Sequence, residues 1–329
     1  MFYPIKFEPI YKEMVWGGTR LREKYGRNIP CEYTGEAWDI SCRKDDMSII
    51  NNGKWAGRRF DDLINSNREG YLGKKLVNCA GFPLLVKIID ANKNLSIQIH
   101  PDDDYAQKNE HVIFGKTEMW YILCAPPNAS LIYGLSKEVT SDKIMNAAYD
   151  GSIESMLRRF PIKANDVIEI PAGLIHALTA GIMVLEIQQN SDTTYRLYDY
   201  CKIGLDNKPR ELHIAKAVDV VDIGLNLRVH KAVGIQLNNL GDGTNITRYI
   251  SNKHFTIEKY TISRNEIRES TDNSRFYIFT CVEGNCVISA ETANVTLSMS
   301  ESVFLPAAIS EYSIFAHHCE LIKSYVNDY

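Results

Sequence analysis

The sequence lacks the marks of secreted, disulfide-rich and membrane-spanning proteins. Its eight cysteines contain no CxxC pair, whereas a structural zinc site or a disulfide framework would show tighter spacing. No apolar run approaches the length of a membrane span, and the first residues lack the basic region and apolar run of a secretory signal. We therefore predict free thiols in a reducing cytoplasm and no membrane partner.

A strong excess of either charge is also missing. The 329 residues have a formal net charge of −4 and a pI near 6.1, so no nucleic-acid partner is expected. An anionic small molecule is not excluded, because a pocket can be locally basic on an acidic protein. The length allows two domains or one elaborated domain.

Short β-strand patterns, in contrast, are abundant. Segments such as FPLLVKIID, EMWYILCA, IMVLEIQQ and RFYIFTCVEG are rich in β-branched and aromatic residues and are separated by turn residues, which predicts a mainly β fold of sandwiches or barrels. Helical spacing is predicted only near 137–160 and 209–223. The polar stretch QLNNLGDGTN marks a boundary at 236–245, so we predict a first domain at 1–236 and a second, β domain at 237–329.

The two predicted domains share a short internal similarity. DVIEIPAGLIHAL at 166–178 and ESVFLPAAISEYSI at 301–314 have the same order of strand, proline, alanine and aliphatic residues. His176 of the first copy falls opposite Glu311 of the second. Two related barrels, of which only the first keeps a polar site, would explain this pattern; chance similarity is the alternative.

Polar side chains stand at the centre of one face on one predicted strand. In LSIQIHPDD, Ile97 and Ile99 share one face, while Ser96, Gln98 and His100 share the other. Such a face looks either at water or into a cavity that needs polar groups.

Two further segments carry groups that suit a metal ion. GKTEMWYIL places Lys116 and Glu118 on one strand face, and IPAGLIHAL brings His176 in after a turn. Neutral imidazole and carboxylate are ligands of catalytic zinc-type ions, although a histidine taken alone is more often a surface or core residue. The candidate ligands are His100, Glu118, His176 and, as a neutral fourth, Gln98. The remaining histidines are interpreted as structural or surface residues: His111, His213, His230, His254, His317 and His318.

The stretch EIQQNSDTTYRLYDY carries a run of polar side chains at alternate positions. If it is extended, these side chains share a face, which suits the wall of a wet cavity; a solvated edge strand is the alternative. The side chains are Gln188, Asn190, Asp192, Thr194 and Arg196.

Together these segments resemble the type I mannose-6-phosphate isomerases (phosphomannose isomerases) in their shorter bacterial form. The matching stretches are VWGGTRL, GEAWDIS, LSIQIHPDD, GKTEMWYIL, IPAGLIHAL, QNSDTTYRLYDY and KPRELHIAKA. The resemblance implies a cupin fold, with a jelly-roll catalytic barrel, a small helical elaboration and a degenerate C-terminal cupin-like domain without a metal site. It matches only weakly beyond about residue 236.

The resemblance also implies a cofactor and site residues. One zinc ion per chain would be held by His100, Glu118 and His176, with Gln98 contributing. Arg196 falls on the family's catalytic arginine. The reaction implied interconverts mannose 6-phosphate and fructose 6-phosphate through an enediol, which needs a base and an electrophile for the developing oxyanion.

The remaining roles are assigned from chemistry alone. Asp192 and Lys116 are the candidates for proton transfer. The phosphate needs a basic anchor away from the metal, for which Lys87, Ser96 and Lys116 are the nearest positions. A small sugar phosphate is the expected partner, and we predict a monomer or weak homodimer.

Two other functions share these features. A cupin enzyme of another kind, such as a metal-dependent oxygenase or an isomerase of another sugar phosphate, would have the same fold. A non-catalytic sugar-phosphate sensor would keep the pocket. NSDTTYRLYDY and KTEMWY favour mannose 6-phosphate over the first. The presence of all candidate ligands and the arginine disfavours the second.

Overall fold

The structure is a computed structural model that describes residues 2–241, 243–291 and 293–327. The helices in this part of the chain are α1 (Arg20–Tyr25), α2 (Phe60–Ser66), α3 (Arg68–Leu72), α4 (Asp103–Glu110), α5 (Ser141–Asp150), α6 (Ile214–Val220) and α7 (Ile223–Leu227), with 3₁₀ turns at Gly53–Trp55 and Ile153–Met156. The strands are β1 (Phe7–Glu8), β2 (Ile10–Gly18), β3 (Thr34–Ile40), β4 (Ile49–Ile50), β5 (Leu84–Ala91), β6 (Ile97–Ile99), β7 (Glu118–Cys124), β8 (Ser130–Leu135), β9 (Leu157–Pro161), β10 (Val167–Ile170), β11 (His176–Ala177), β12 (Ile182–Gln189), β13 (Tyr195–Tyr198), β14 (Ile235–Gly241), β15 (Thr244–Ser251), β16 (Thr256–Ser270), β17 (Tyr277–Ala290), β18 (Ala293–Ser298), β19 (Ser302–Leu305) and β20 (Glu311–Tyr325). The mainly β expectation is confirmed. Within these described ranges no helix is long and apolar enough to cross a membrane.

The chain forms two compact units. The central unit comprises Tyr11–Ala37 and Leu85–Lys231. The terminal unit comprises the described residues of Met1–Ile10, Trp38–Leu84 and Ala232–Tyr329. The predicted division into 1–236 and 237–329 stays a prediction. The predicted boundary stretch at 236–245 includes Asp242, which lies outside the described residues, and the strands on either side of it, β14 and β15, are an antiparallel pair.

Two sheets build the central unit. Their strand orders are β10-β7-β12-β5-β3-β2 and β13-β6-β11-β8-β9. Antiparallel pairing joins β10, β7 and β12 in the first sheet and all five strands of the second. Side chains from both sheets, including Trp120, Val184, Leu131 and Tyr133, pack in one core. The central unit is therefore a sandwich of two sheets with a shared interior.

Helices cover the outer face of the five-stranded sheet. Ile97 and Ile99 pack in a second core with Ile144 of α5 and Ile214 of α6. Because side chains alternate along a strand, this packing turns Gln98 toward the interior of the sandwich.

The helices α5 and α6 are shorter than the helical segments predicted near 137–160 and 209–223. α5 ends at Asp150 and is capped by Gly151, whose φ of +81° is left-handed. Leu157–Pro161 is strand β9, paired with β8, rather than helix. α6 begins only at Ile214, because the residues before it run beside β13, where His213 N–H donates to the Arg196 carbonyl at 2.8 Å. Helices α1–α4 and α7 were not predicted, since five to eight residues are too few for a clear periodicity.

The terminal unit contains a sheet of order β14-β15-β16-β20-β17-β18, with β19 also paired to β17. Its core joins Ile262, Phe279 and Leu321. The internal similarity has a structural counterpart, since both copies are a strand, a turn and a further strand. His176 is fully buried, whereas Glu311 is exposed, so the two positions lie in different environments.

Candidate active site

Strand register in the five-stranded sheet brings three polar residues into one row. Gln98 on β6 pairs with His176 on β11 on one side and with Arg196 on β13 on the other. The predicted alternation along LSIQIH is confirmed, because Ile97 and Ile99 face the helices and Gln98 lines an interior cavity.

The facing sheet supplies carboxylates. Glu118 and Trp120 on β7 pair with Gln188 and Glu186 on β12. Trp120 Nε1–H also donates a hydrogen bond of 2.8 Å to Glu186 Oε2. Two carboxylates thus stand on one face of this sheet, two residues apart in the ladder.

Three of the sequence-predicted ligands meet where the two sheets face each other. His100 Nε2 lies 3.3 Å from Glu118 Oε1, and His176 Nε2 lies 3.8 Å from Glu118 Oε2. The three ligand atoms lie within 4.8 Å of one another, and all three side chains are at most 1% exposed. Two ligands at about 2.1 Å from one ion with a tetrahedral angle lie roughly 3.4 Å apart. The spacing therefore fits a single ion.

Backbone carbonyls orient both imidazoles. His100 Nδ1–H donates to the Thr193 carbonyl at 3.0 Å, and His176 Nδ1–H donates to the Leu174 carbonyl at 2.8 Å. This arrangement leaves both Nε2 lone pairs directed at Glu118. In the described part of the chain, His100 Nε2 and both Glu118 oxygens lack a hydrogen bond of ordinary geometry. Buried polar atoms in this state are the expected partners of an ion.

The electrostatic environment keeps the ligands in their metal-binding forms. Burial, together with the charge of Lys116, lowers the pKa of His100 to about 3, and burial also lowers the pKa of His176. Burial by itself raises the pKa of Glu118, but the charge of Lys116, whose Nζ lies 2.9 Å from Glu118 Oε1, and contact with His100 hold this pKa well below its usual value. Two neutral imidazoles and a carboxylate are the donor set of a catalytic divalent metal.

Gln98 is oriented differently from a ligand. Its amide nitrogen lies 3.4 Å from His176 Nε2, and its amide oxygen lies 3.4 Å from Ser96 Oγ. Since an amide binds a metal through oxygen, Gln98 could join the ligands only with its amide turned over.

A polar cavity of about 320 Å³ opens beside the candidate metal ligands. Gln98 and Lys116 line it and connect it to His176 and Glu118. The other predicted site residues on its walls are Lys87, Ser96, Asp192 and Arg196. Charged or titratable lining residues that were not predicted are Glu36, Glu186, Arg210 and His213.

Parts of the predicted cavity wall are absent from it. Gln188 and Asn190 do not line the cavity. The Gln188 amide donates to the carbonyls of Gln189 and Ser191, and Asn190 follows the end of β12 at Gln189. His213, interpreted from the sequence as a structural or surface residue, lines the cavity. The Arg196 N–H donates to His213 Nδ1 at 3.2 Å and holds the ring at the cavity wall.

Comparison with known proteins agrees with this geometry. A family model described as phosphomannose isomerase type I, catalytic domain, matches residues 5–129, and one described as mannose-6-phosphate isomerase, cupin domain, matches residues 245–326. The chain is 34% identical to the mannose-6-phosphate isomerase of Streptococcus mutans over 329 residues, which is 100% of both chains. The chain belongs to the type I mannose-6-phosphate isomerases.

Other mannose-6-phosphate isomerases match over similar lengths. ManA of Bacillus subtilis is 33% identical over 311 residues, covering 94% of this chain and 95% of ManA. A crystal structure of the mannose 6-phosphate isomerase from Bacillus subtilis has a TM-score of 0.89 at 35% identity and covers 98% of this chain and 99% of that one. The predicted family, the cupin fold and the isomerase function are therefore confirmed. The match at 245–326 also extends the family to the segment where the sequence resemblance was weak.

This mannose-6-phosphate isomerase holds a buried lysine between two carboxylates. Lys87 Nζ lies 3.4 Å from Glu186 Oε1 and 3.5 Å from Glu36 Oε2. Burial alone would lower the pKa of Lys87, but the charges of Glu36 and Glu186 outweigh it and raise this pKa. Burial and then the charge of Glu118 raise the pKa of Glu186 to about 7, against the lowering effect of Lys87.

Replacing Lys87 by methionine is expected to destabilise this isomerase by about 3–5 kcal/mol near pH 8, because two buried carboxylates lose their counter-charge. The folded-state pKa of Glu186, about 7, lies above the ordinary value of about 4.3. The folded chain therefore binds the extra proton between these values, and stability contributed by Glu186 falls as pH rises through that window. Urea unfolding at pH 5.5 and pH 8 should show a smaller deficit at the lower pH.

The double variant Lys87→Met, Glu36→Gln is the control, since it also removes one of the two carboxylate charges that face Lys87. It should be more stable than Lys87→Met alone at pH 8. A deficit in Lys87→Met that is the same at both pH values would contradict the proposed ion network.

Proposed function

We propose that this chain interconverts mannose 6-phosphate and fructose 6-phosphate with one zinc ion held by His100, Glu118 and His176. The observation that carries the proposal is the convergence of two neutral imidazoles and one carboxylate, all buried, beside a polar cavity of about 320 Å³. Zinc accepts three such ligands and leaves a position for water or substrate.

The reaction moves a proton between C2 and C1, so negative charge develops on the two neighbouring oxygens. The ion, when bound, supplies Lewis-acid stabilisation of that charge. Arg196 adds a fixed positive charge from the cavity wall. Although burial and the charge of Arg210 lower the pKa of Arg196, a guanidinium stays protonated at neutral pH and cannot serve as the base.

Asp192 and Lys116 divide the proton transfers in this proposal. Both side chains line the cavity. The Lys116 ammonium lies 2.9 Å from Glu118 Oε1, so it is placed to donate to a substrate oxygen rather than to accept a proton from carbon. Asp192 is then the group that takes the carbon-bound proton. Glu186, with a pKa of about 7, also lines the cavity and can change charge near neutral pH.

The remaining predicted residues are given binding roles. Ser96 and Lys87 line the cavity, and we assign them to the sugar hydroxyls. We place the enzyme in the cytoplasm as a monomer or weak homodimer. Free thiols support the location, since Cys281 Sγ and Cys319 Sγ are free and lie 3.8 Å apart, at hydrogen-bond distance.

A coupled assay on one purified sample tests the proposed function. Zinc content should be close to one ion per chain, and kcat/KM for mannose 6-phosphate should exceed that for other hexose and pentose phosphates by at least about tenfold, or about 1.4 kcal/mol in transition-state binding. Faster turnover of another sugar phosphate would reassign the substrate. Tight binding of mannose 6-phosphate without turnover would indicate a sensor.

A further inference from the structure

One end of the cavity carries two arginines and a histidine, and the proposed function gives a role to only one of the three, Arg196. Arg196, Arg210 and His213 line the same cavity. Arg196 Nε is buried and makes no hydrogen bond within the described residues. Burial and then the charge of Arg210 lower the pKa of Arg196, as expected when two guanidinium groups are held close together.

The chain folds back on itself to hold this cationic end in place. Two hydrogen bonds hold His213 beside Arg196 on β13: the His213 N–H donates to the Arg196 carbonyl, and the Arg196 N–H donates to His213 Nδ1. The buried carboxylate of Asp199 then lies 3.2 Å from Arg210 Nη1 and 3.4 Å from Lys202 Nζ. Asp199 therefore positions Arg210 at the cavity wall.

The wall that carries Lys87 has the opposite charge balance. Lys87 stands between the carboxylates of Glu36 and Glu186, and Lys116 is paired with Glu118. A phosphate dianion would approach two carboxylates there, with the single ammonium of Lys87 between them. At the cationic end, in contrast, two guanidinium groups and one carboxylate line the cavity: Arg196 and Arg210 against Asp192. The carboxylates of Asp199 and Glu211 also act on these groups but do not line the cavity.

His213 adds a directed donor to the cationic end. Its Nδ1 accepts a hydrogen bond from the Arg196 N–H. The neutral ring therefore carries its proton on Nε2. Burial and the charge of Arg196 lower the pKa of His213, which favours this neutral form. A guanidinium fork and an N–H group are common partners of phosphate oxygens.

We propose that Arg210 and His213 bind the phosphate group of the sugar phosphate, with Asp199 positioning Arg210. This inference rests on the proposed function and refines its substrate site, because it moves the phosphate from the predicted anchors Lys87 and Lys116. Arg196 pairs with Gln98, and Gln98 contacts His176. Arg196 thus lies between the candidate metal ligands and Arg210, and the phosphate end of the substrate points away from the ion.

Steady-state kinetics of Arg210→Ala test this proposal in the zinc-loaded enzyme. Loss of a charge-assisted hydrogen bond should lower kcat/KM for mannose 6-phosphate about ten- to hundredfold. The constant for competitive inhibition by inorganic phosphate should rise by a similar factor. Arg210→Lys, which keeps the charge but not the fork, should recover part of both effects. Arg159→Ala, which removes an exposed arginine of the central unit outside the cavity, is the matched control and should behave as the unsubstituted enzyme.

The outcomes separate this inference from the proposed function. Turnover of mannose 6-phosphate by the unsubstituted enzyme tests the function alone. A kcat/KM within twofold of that enzyme in Arg210→Ala, or a loss of kcat/KM with unchanged phosphate inhibition, would overturn the phosphate assignment. If the variants do not fold, phenylglyoxal labelling of the unsubstituted enzyme decides. Inorganic phosphate should protect Arg210 from modification, as read by peptide mass spectrometry, and unprotected labelling would refute the assignment.

Discussion

Exhaustive chelation is expected to abolish the isomerisation of mannose 6-phosphate, and zinc is expected to restore it at about one ion per chain. Without the ion, stabilisation of charge on the reacting substrate oxygens falls to Arg196 and the ammonium of Lys116. Loss of a Lewis acid costs several kcal/mol of transition-state stabilisation, and each 1.36 kcal/mol is about tenfold in rate. We therefore expect a fall in kcat of at least about a thousandfold, measured beside metal content on the same sample.

Substitution of the ligands should reproduce the effect of chelation. His176→Ala removes one imidazole and Glu118→Gln removes the carboxylate charge, so both variants should lose zinc and activity together. His254→Ala, in the terminal unit away from the cavity lining, is the matched control and should keep both. Full activity in protein shown to contain no metal would refute the assigned role of the ion.

The strand face that carries the candidate metal ligands could be predicted from the sequence because strand periodicity marks it. An apolar residue on each side of Gln98 fixes which face of β6 looks inward. The register then places Gln98 beside His176 and Arg196, although the register itself cannot be derived from local pattern. Which strands are neighbours depends on the whole sheet, and for that step the family resemblance was needed.

The cavity-lining residues that were not predicted from the sequence include Glu186, Arg210 and His213. For Glu186 the alternation along the strand was not followed, and for the other two there is no strand or helix periodicity to follow. Glu186 stands two positions before Gln188 on β12, so the alternation that singled out Gln188 could have included it. Arg210 and His213 occupy an irregular segment between β13 and α6. Their place at the cavity depends on the hydrogen bond from the Arg196 N–H to His213 and on the ion pair of Arg210 with Asp199. Contacts of this kind leave no periodic pattern in the sequence.

The energetics of the cavity could not be predicted for a related reason. Lys87 was predicted as a phosphate anchor because the phosphate needs a basic group and Lys87 is one of the nearest positions. Its partners, Glu36 on β3 and Glu186 on β12, come from distant parts of the chain and meet it only through the order β12-β5-β3. A side chain's charge can be read from sequence, but the extent to which neighbours neutralise that charge depends on sheet order.

Arg196→Ala is expected to lower kcat by about a hundred- to a thousandfold while zinc content and fold are kept. The Arg196 side chain lines the cavity but is not among the candidate metal ligands, so its loss should leave the ion bound. A fixed positive charge beside the developing oxyanion acts mainly in the transition state, and removal of one such group typically costs this much. The effect should appear in kcat and kcat/KM equally, with KM little changed.

Three measurements separate this catalytic role of Arg196 from a structural one. Thermal unfolding and metal content of Arg196→Ala should match those of Arg159→Ala, whose exposed guanidinium lies outside the cavity. Arg196→Lys should regain part of kcat, because it returns a positive charge without the planar fork. A raised KM at unchanged kcat would mean that Arg196 binds the substrate uniformly, as Arg210 is proposed to bind the phosphate, and that the charge acting on the reacting oxygens comes from the ion and Lys116.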